Sequence, residues 1–220
     1  MRIVIAGGHG KIARQLGQLL SSRGDTAVGL IRDPAQQDDL RAAGMEPVVL
    51  DLEGADVEAV AKVLAGADAA VFAAGAGPNS GPARKDTVDR AASVLLAQAC
   101  ELAGVERFLQ VSSMGVESVR DTPARPDDDV FTVYLRAKLA AEEDLRSRRL
   151  AWIVLRPGGL SDGPATGRVR LAPSVEPGRV ARADVAAVLL ELLVMPNARG
   201  LVLELVGGDV PVADAVAAVV

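Results

Sequence analysis

The sequence predicts an α/β fold, a three-layer sandwich in which a doubly wound, mostly parallel sheet carries helices on both faces. Three observations predict it. Short apolar runs alternate with segments of helical periodicity from the first residues to the last. Gly24, Gly44, Gly66 and Gly104 each fall just past such a segment, where a left-handed helix cap needs glycine. A glycine-rich turn, Gly7-Gly8-His9-Gly10, joins the first apolar run directly to the first helical segment. Repeated strand–helix–strand units of this kind build a parallel sheet with right-handed crossovers.

The runs that read as strands are Ile3–Ala6, Ala27–Ile31, Pro47–Leu50, Ala69–Ala73, Arg107–Val111, Ala151–Leu155 and Leu201–Val206. Most are continuously apolar, as strands covered on both faces should be. Helical spacing follows over Lys11–Ser22, where Ile12, Leu16, Leu19 and Leu20 share a face. The same period marks Val57–Leu64, Asp86–Ala103, Tyr134–Arg148 and Ala183–Val194. Two stretches break the rhythm. Residues 115–130 hold Pro123, Pro126 and Asp127-Asp128-Asp129, and residues 158–177 are rich in glycine and proline. Both follow strands, so both are expected as loops beyond the carboxyl edge of the sheet, where open α/β folds bind ligands. They read as mobile lids that shape the substrate-binding region of one domain spanning residues 1–220, or else as ordinary surface loops.

Composition narrows the function. The charge of −5 and 2% aromatic residues speak against a nucleic-acid binder, which needs a basic face and stacking rings. One Cys and one His leave no disulfide framework and no Cys/His zinc site, so no metal is expected. The apolar block after Met1-Arg2 is short for a signal peptide, and the longest uncharged stretch, residues 69–83, falls short of a membrane span. A cytoplasmic protein working on a small-molecule substrate, as monomer or homodimer, is the expectation.

The turn Gly7-Gly8-His9-Gly10-Lys11-Ile12-Ala13 lies between a strand and a helix. Gly7 and Gly10 let the backbone turn tightly and approach a pyrophosphate, and Ala13 lets the helix pack close to the sheet. The helix amino terminus adds N–H donors and positive dipole, with Lys11 and Ile12 in its first turn. His9 is expected to contribute backbone contact rather than acid–base chemistry. At the tip of the second strand stands Arg32, with Asp33 one place on. A carboxylate there suits the ribose 2′-hydroxyl of NAD, whereas a guanidinium binds a 2′-phosphate, so NADP(H) is favoured and NAD remains open. The bland alternative is an ion pair between Arg32 and Asp33. Asp51, with Leu52 beside it, could reach the adenine or simply shape a turn.

The chain has a single tyrosine and four lysines, and Lys138 stands four places after Tyr134. That spacing puts both on one helix face, where an ammonium favours a phenolate and suits the phenol to acid–base work. A half-buried tyrosine beside a solvated lysine is the alternative. The strand end Val111-Ser112-Ser113 offers a hydroxyl for a substrate oxygen, with Ser113 the outer of the two, unless it merely caps. Arg156-Pro157-Gly158 could close over a nicotinamide.

Taken in order, Gly7-x-x-Gly10-x-x-Ala13, Arg32, Asp51-Leu52, Ala73-Ala74-Gly75, Val111-Ser112-Ser113, Tyr134-x-x-x-Lys138 and Arg156-Pro157-Gly158 resemble an atypical short-chain dehydrogenase/reductase. The nearest likeness is to the NAD(P)H-binding group that includes NmrA-like proteins, flavin/biliverdin-IXβ reductases and small epimerase-like proteins. The resemblance implies a Rossmann-type fold with Ser113, Tyr134 and Lys138 as substrate orienter, acid/base and ribose binder. It implies a cofactor contact at Ala73, Ala74, Gly75 and Pro157. Only about 65 residues follow Leu155, so the large substrate domain of extended epimerases is not expected. The expected activity is NADP(H)-dependent reduction of a small carbonyl, quinone or flavin-like compound. An epimerase or dehydratase of a compact substrate is one rival, and a non-catalytic dinucleotide-binding regulator is another.

Overall fold

A computed structural model describes residues 1–77, 80–125 and 128–220. Pro126 and Asp127, both part of the 115–130 segment, lie outside the described residues.

The first half runs β1 (Arg2–Ala6), α1 (Lys11–Ser22), β2 (Thr26–Ile31), a 3-10 turn Pro34–Gln36, α2 (Gln37–Ala42), β3 (Met45–Val49), α3 (Val57–Leu64) and β4 (Ala69–Phe72). Then come α4 (Pro82–Arg84), a π-helical segment Lys85–Ala91, α5 (Ala92–Ala103), β5 (Arg107–Val111) and a 3-10 turn Val116–Val119. The rest is α6 (Val130–Arg146), β6 (Ala151–Pro157), β7 (Gly159–Ser161), β8 (Arg168–Ala172), β9 (Arg179–Ala181), α7 (Arg182–Val194), β10 (Leu201–Gly207), β11 (Val210–Pro211) and α8 (Val212–Ala217).

Among the described residues the main sheet has nine strands, in the order β11-β8-β10-β6-β5-β4-β1-β2-β3. It is parallel from β3 through β10, and β8 runs antiparallel to β10. Strands β2 and β3 lie to one side of β1 and β4 to the other, which opens a crevice at the carboxyl end of β1.

Alternation along β1 shows how the layers form. Ile3 and Ile5 pack with Leu16 and Leu20 of α1 and Val185, Leu189 and Leu192 of α7. Val4 and Ala6 pack on the opposite face with Val60 and Leu64 of α3 and Leu96 and Cys100 of α5. Each large aliphatic side chain so buried contributes about 1.5–3 kcal/mol. Burial pushes the Cys100 thiol up to about 12, so it serves as core. The four glycines beyond helical segments all take left-handed φ angles, between 70° and 81°. Asp56 and Asp129 cap α3 and α6 by accepting the Ala59 and Thr132 N–H groups at 2.7 Å.

The two loop stretches differ from expectation. Residues 158–177 contain β7 and β8, and β8 is built into the main sheet. Its pattern alternates, Val169 and Leu171 buried between exposed Arg168 and Arg170, the signature of a half-buried strand. In the 115–130 stretch, Val116 and Val119 are buried against Leu135 and Leu139 of α6. Both stretches are therefore anchored in part, one through β8 and the other through Val116 and Val119. Among the described residues no helix is long and apolar enough to cross a membrane.

Candidate functional site

Between β1 and α1 the chain turns on Gly7, whose φ is 77° and whose missing Cβ would come within 2.6 Å of the Ala74 Cα. Gly8 donates its N–H to the Leu30 carbonyl at 2.9 Å, and a Cβ there would meet the Gly29 backbone at 2.7 Å. Gly10 donates to the Gly7 carbonyl at 2.8 Å and then starts α1 without a side-chain cap. The N–H groups of Lys11, Ile12 and Ala13 therefore have no intrahelical acceptor, which leaves an anion-binding terminus.

A cleft of about 290 Å³ opens beside this turn. Of the residues singled out in the sequence, Gly7, His9, Gly10, Arg32, Asp51, Leu52, Ala73, Ala74 and Gly75 line it. Lys11, Ile12, Ser113, Tyr134, Lys138 and Pro157 do not. The His9 ring turns away to Asp39, 2.7 Å from Nε2 to Oδ2, and that bond holds the Asp39 carboxyl below the usual range. Lys11 reaches Asp162 at 2.7 Å, which Arg182 also binds, and Ile12 packs against the core.

Arg32 finds a different partner from the one its neighbour suggested. Asp33 caps the following turn by accepting the Ala35 N–H at 2.9 Å. Arg32 instead approaches Glu53 at 3.4 Å, and Arg84 reaches the same carboxylate oxygen at 2.5 Å. Thr87 donates to the other oxygen at 2.7 Å. The Arg84 bond above all holds the Glu53 carboxyl below its usual range. Asp51 accepts the Glu53 N–H at 3.0 Å and shapes that turn. Glu53 and Arg84 line the same cleft, and sequence reasoning missed both.

Tyr134 and Lys138 lie on α6, as their spacing predicts. Lys138 is buried, with Nζ 3.3 Å from the Ala74 carbonyl, 3.2 Å from the Val111 carbonyl and 3.3 Å from Asp89 Oδ1. The last is an ion-pair contact without aligned hydrogen-bond geometry. Two carbonyls thus accept from the ammonium and the Asp89 carboxylate balances its charge, and Nζ stands 5.8 Å from the centroid of the half-buried Tyr134 ring. Asp89, wholly buried on the π-helical segment, also accepts the Ala76 N–H at 3.2 Å. Exposed Phe131 stacks on Tyr134 with centroids 5.9 Å apart.

The two strand-end serines differ. Half-buried Ser113 donates to the Met114 carbonyl at 3.0 Å. Ser112 is buried and donates to Glu142, which Arg156 of β6 holds through Nε at 3.0 Å and through Nη2. Arg156 also reaches Glu117 at 2.6 Å. The carbonyl of Pro157 accepts the Met114 N–H at 3.0 Å and ties the ends of β5 and β6 together.

A glycine turn that a Cβ would fill, an uncapped helix terminus and a cleft with two guanidinium groups fit a dinucleotide phosphate ester. Fold and cleft together define a Rossmann-type nucleotide-binding α/β protein. A model of the NAD(P)H-binding family matches residues 7–196, and the chain belongs to that family. It is similar to a Bacillus subtilis protein named as an uncharacterized sugar epimerase, YhfK, with 31% identity covering 98% of both chains. A Bacillus halodurans structure, provisionally titled an NAD-dependent epimerase/dehydratase, is 33% identical with a TM-score of 0.89 over 99% of each chain. The anaerobilin reductase ChuY of Escherichia coli O157:H7 is 26% identical with a TM-score of 0.79, over 96% of this chain and 98% of its own.

Proposed function

We propose that the chain is an NADP(H)-dependent oxidoreductase of the atypical short-chain type, reducing a small carbonyl, quinone or flavin-like substrate with Tyr134 as acid/base. The observation that carries this reading is the Lys138–Ala74 hydrogen bond, because Ala74 lines the cleft and Lys138 shares a helix face with Tyr134. In this reading the Gly7–Gly10 backbone and the α1 terminus hold the pyrophosphate, with Lys11 and Ile12 supplying first-turn N–H groups. Arg32 takes the 2′-phosphate, and Asp51 and Leu52 flank the adenine. Ala73, Ala74, Gly75 and Pro157 line the path to the nicotinamide. The bound cofactor supplies the hydride. Lys138 exchanges one backbone carbonyl for a ribose hydroxyl, Ser113 turns from the Met114 carbonyl to the substrate oxygen, and Tyr134 moves a proton at that oxygen.

The relatives titled epimerase favour a second reading, in which the same groups serve isomerisation of a compact substrate. Net oxidation of NADPH by a panel of quinones, flavins and small aldehydes tests the choice. Stoichiometric loss of NADPH supports the reductase, and product formed without net cofactor change supports the epimerase. Partner binding that differs between NADP+ and NADPH, without turnover, would overturn both.

A further inference from the structure

Lys85 is the first residue of the π-helical segment and is 95% removed from solvent, at 5% exposure. Its ammonium donates to the Gly77 carbonyl at 2.7 Å and stands 5.4 Å from the centroid of the Tyr134 ring. Among the described residues no carboxylate lies within 4.0 Å of it. Asp89, one turn further along the same segment, is committed to Lys138 and to the Ala76 N–H. Around Tyr134 the fold therefore buries two ammonium groups and one carboxylate, a surplus of one positive charge. Taking an ammonium out of water is costly unless an anion or a full set of acceptors compensates. Lys138 has two carbonyls and the Asp89 carboxylate, but the described residues give Lys85 one carbonyl and a ring face, leaving two N–H donors. π-helical turns recur at functional sites, where the widened turn aims side chains an α-helix would not.

We infer that Lys85 is a substrate-binding residue that recognises a carboxylate carried by the substrate and holds it beside Tyr134. A single negative charge brings the cluster to neutrality, which favours a carboxylate over a phosphate dianion. The exposed Phe131 ring stacked on Tyr134 offers an apolar surface for the carbon skeleton next to that group. Arg32 and Arg84 line the cleft and are engaged with Glu53, whereas Lys85 is not among the residues lining that cleft. The inference rests on the proposed reductase for the role of Tyr134 but not for the anion site itself.

Calorimetric titration of benzoate and of benzamide, with and without NADP+, separates charge from shape. The parent protein is expected to bind benzoate about ten- to a hundredfold more tightly than benzamide, the span of one charge-assisted hydrogen bond. Lys85→Met should erase that preference, and Lys85→Arg should restore part of it, with thermal unfolding checking that each variant is folded. Equal binding of the two probes by the parent would overturn the inference, as would no benzoate binding or a preference that survives in Lys85→Met. No turnover is measured, so a failed reductase assay leaves this result readable. Conversely, a reductase active on neutral aldehydes alone would stand while the carboxylate site fell.

Discussion

Glu142→Gln tests what holds the strand ends beneath the candidate site. Glu142 is wholly buried on α6, and Arg156, 4% exposed on β6, sends Nε and Nη2 to its carboxylate. Ser112 at the end of β5 adds its hydroxyl to the same carboxylate. Replacing that carboxylate with an amide keeps size and one acceptor but leaves a buried guanidinium with Glu117 as its remaining anion, and Glu117 is half exposed. Breaking a buried pair by removing one partner costs about 3–5 kcal/mol. For a chain of this length that lowers the melting temperature by about 6–20 °C. Urea unfolding followed by the fluorescence of Trp152, the single tryptophan, measures it. Replacing both partners with apolar residues, Glu142→Leu with Arg156→Met, should cost less than Glu142→Gln alone, because no uncompensated charge stays behind. A loss below about 1 kcal/mol for Glu142→Gln would refute the reasoning, since the pair would then be satisfied without its carboxylate.

Arg32→Ala should weaken NADP(H) binding about ten- to a hundredfold, the worth of a charge-assisted bond, while NAD(H) hardly changes; equal losses in titrations of both would sink the 2′-phosphate assignment. Stability should be flat above about pH 5 and fall as the pH drops from about 4.5 towards 2, because several carboxyls are held below their ordinary range. Glu117 is the clearest, lowered to about 2 by its bond to Arg120 and then by Arg156. Asp25, Asp86 and Asp162 are lowered by the amino terminus, Arg90 and Lys11 respectively. Each binds its proton more readily unfolded than folded, so acid pulls the equilibrium towards the unfolded chain. Urea midpoints across pH check this, and Glu117→Gln should make the decline shallower.

The parallel strands were legible because most carry a continuous apolar run, as in Ile3–Ala6 and Ala69–Phe72, and Lys11–Ser22 and Val57–Leu64 match their periodic segments residue for residue. Strand β8 escaped because two arginines interrupt its apolar residues, a period-two pattern unlike that of the buried strands. Helices α2 and α8, six residues each, are too short to display a face. The glycine turn and the residues lining the cleft could be read because they follow one another locally at strand ends. Glu53 and Arg84 could not, since their contact spans 31 positions and exists only once the turns after β3 and β4 converge. Lys85 and Asp89 stand four apart among charged neighbours, and nothing in that local pattern marks them as buried. Packing of the π-helical segment against α6 is what buries them. The Tyr134–Lys138 spacing was legible, but the groups around the ammonium come from Ala74, Asp89 and Val111, on three other segments.

Replacement of the single phenol tests the central claim most directly. Tyr134→Phe keeps the ring against Phe131 and leaves the glycine turn and Arg32 untouched, so NADP+ affinity should match the parent. With any carbonyl or quinone the parent reduces, turnover followed by NADPH absorbance should fall by roughly 10²–10⁴, the contribution of a positioned acid–base group. A Tyr134→Phe protein that consumes NADPH as fast as the parent would contradict the assignment and leave Tyr134 a packing residue.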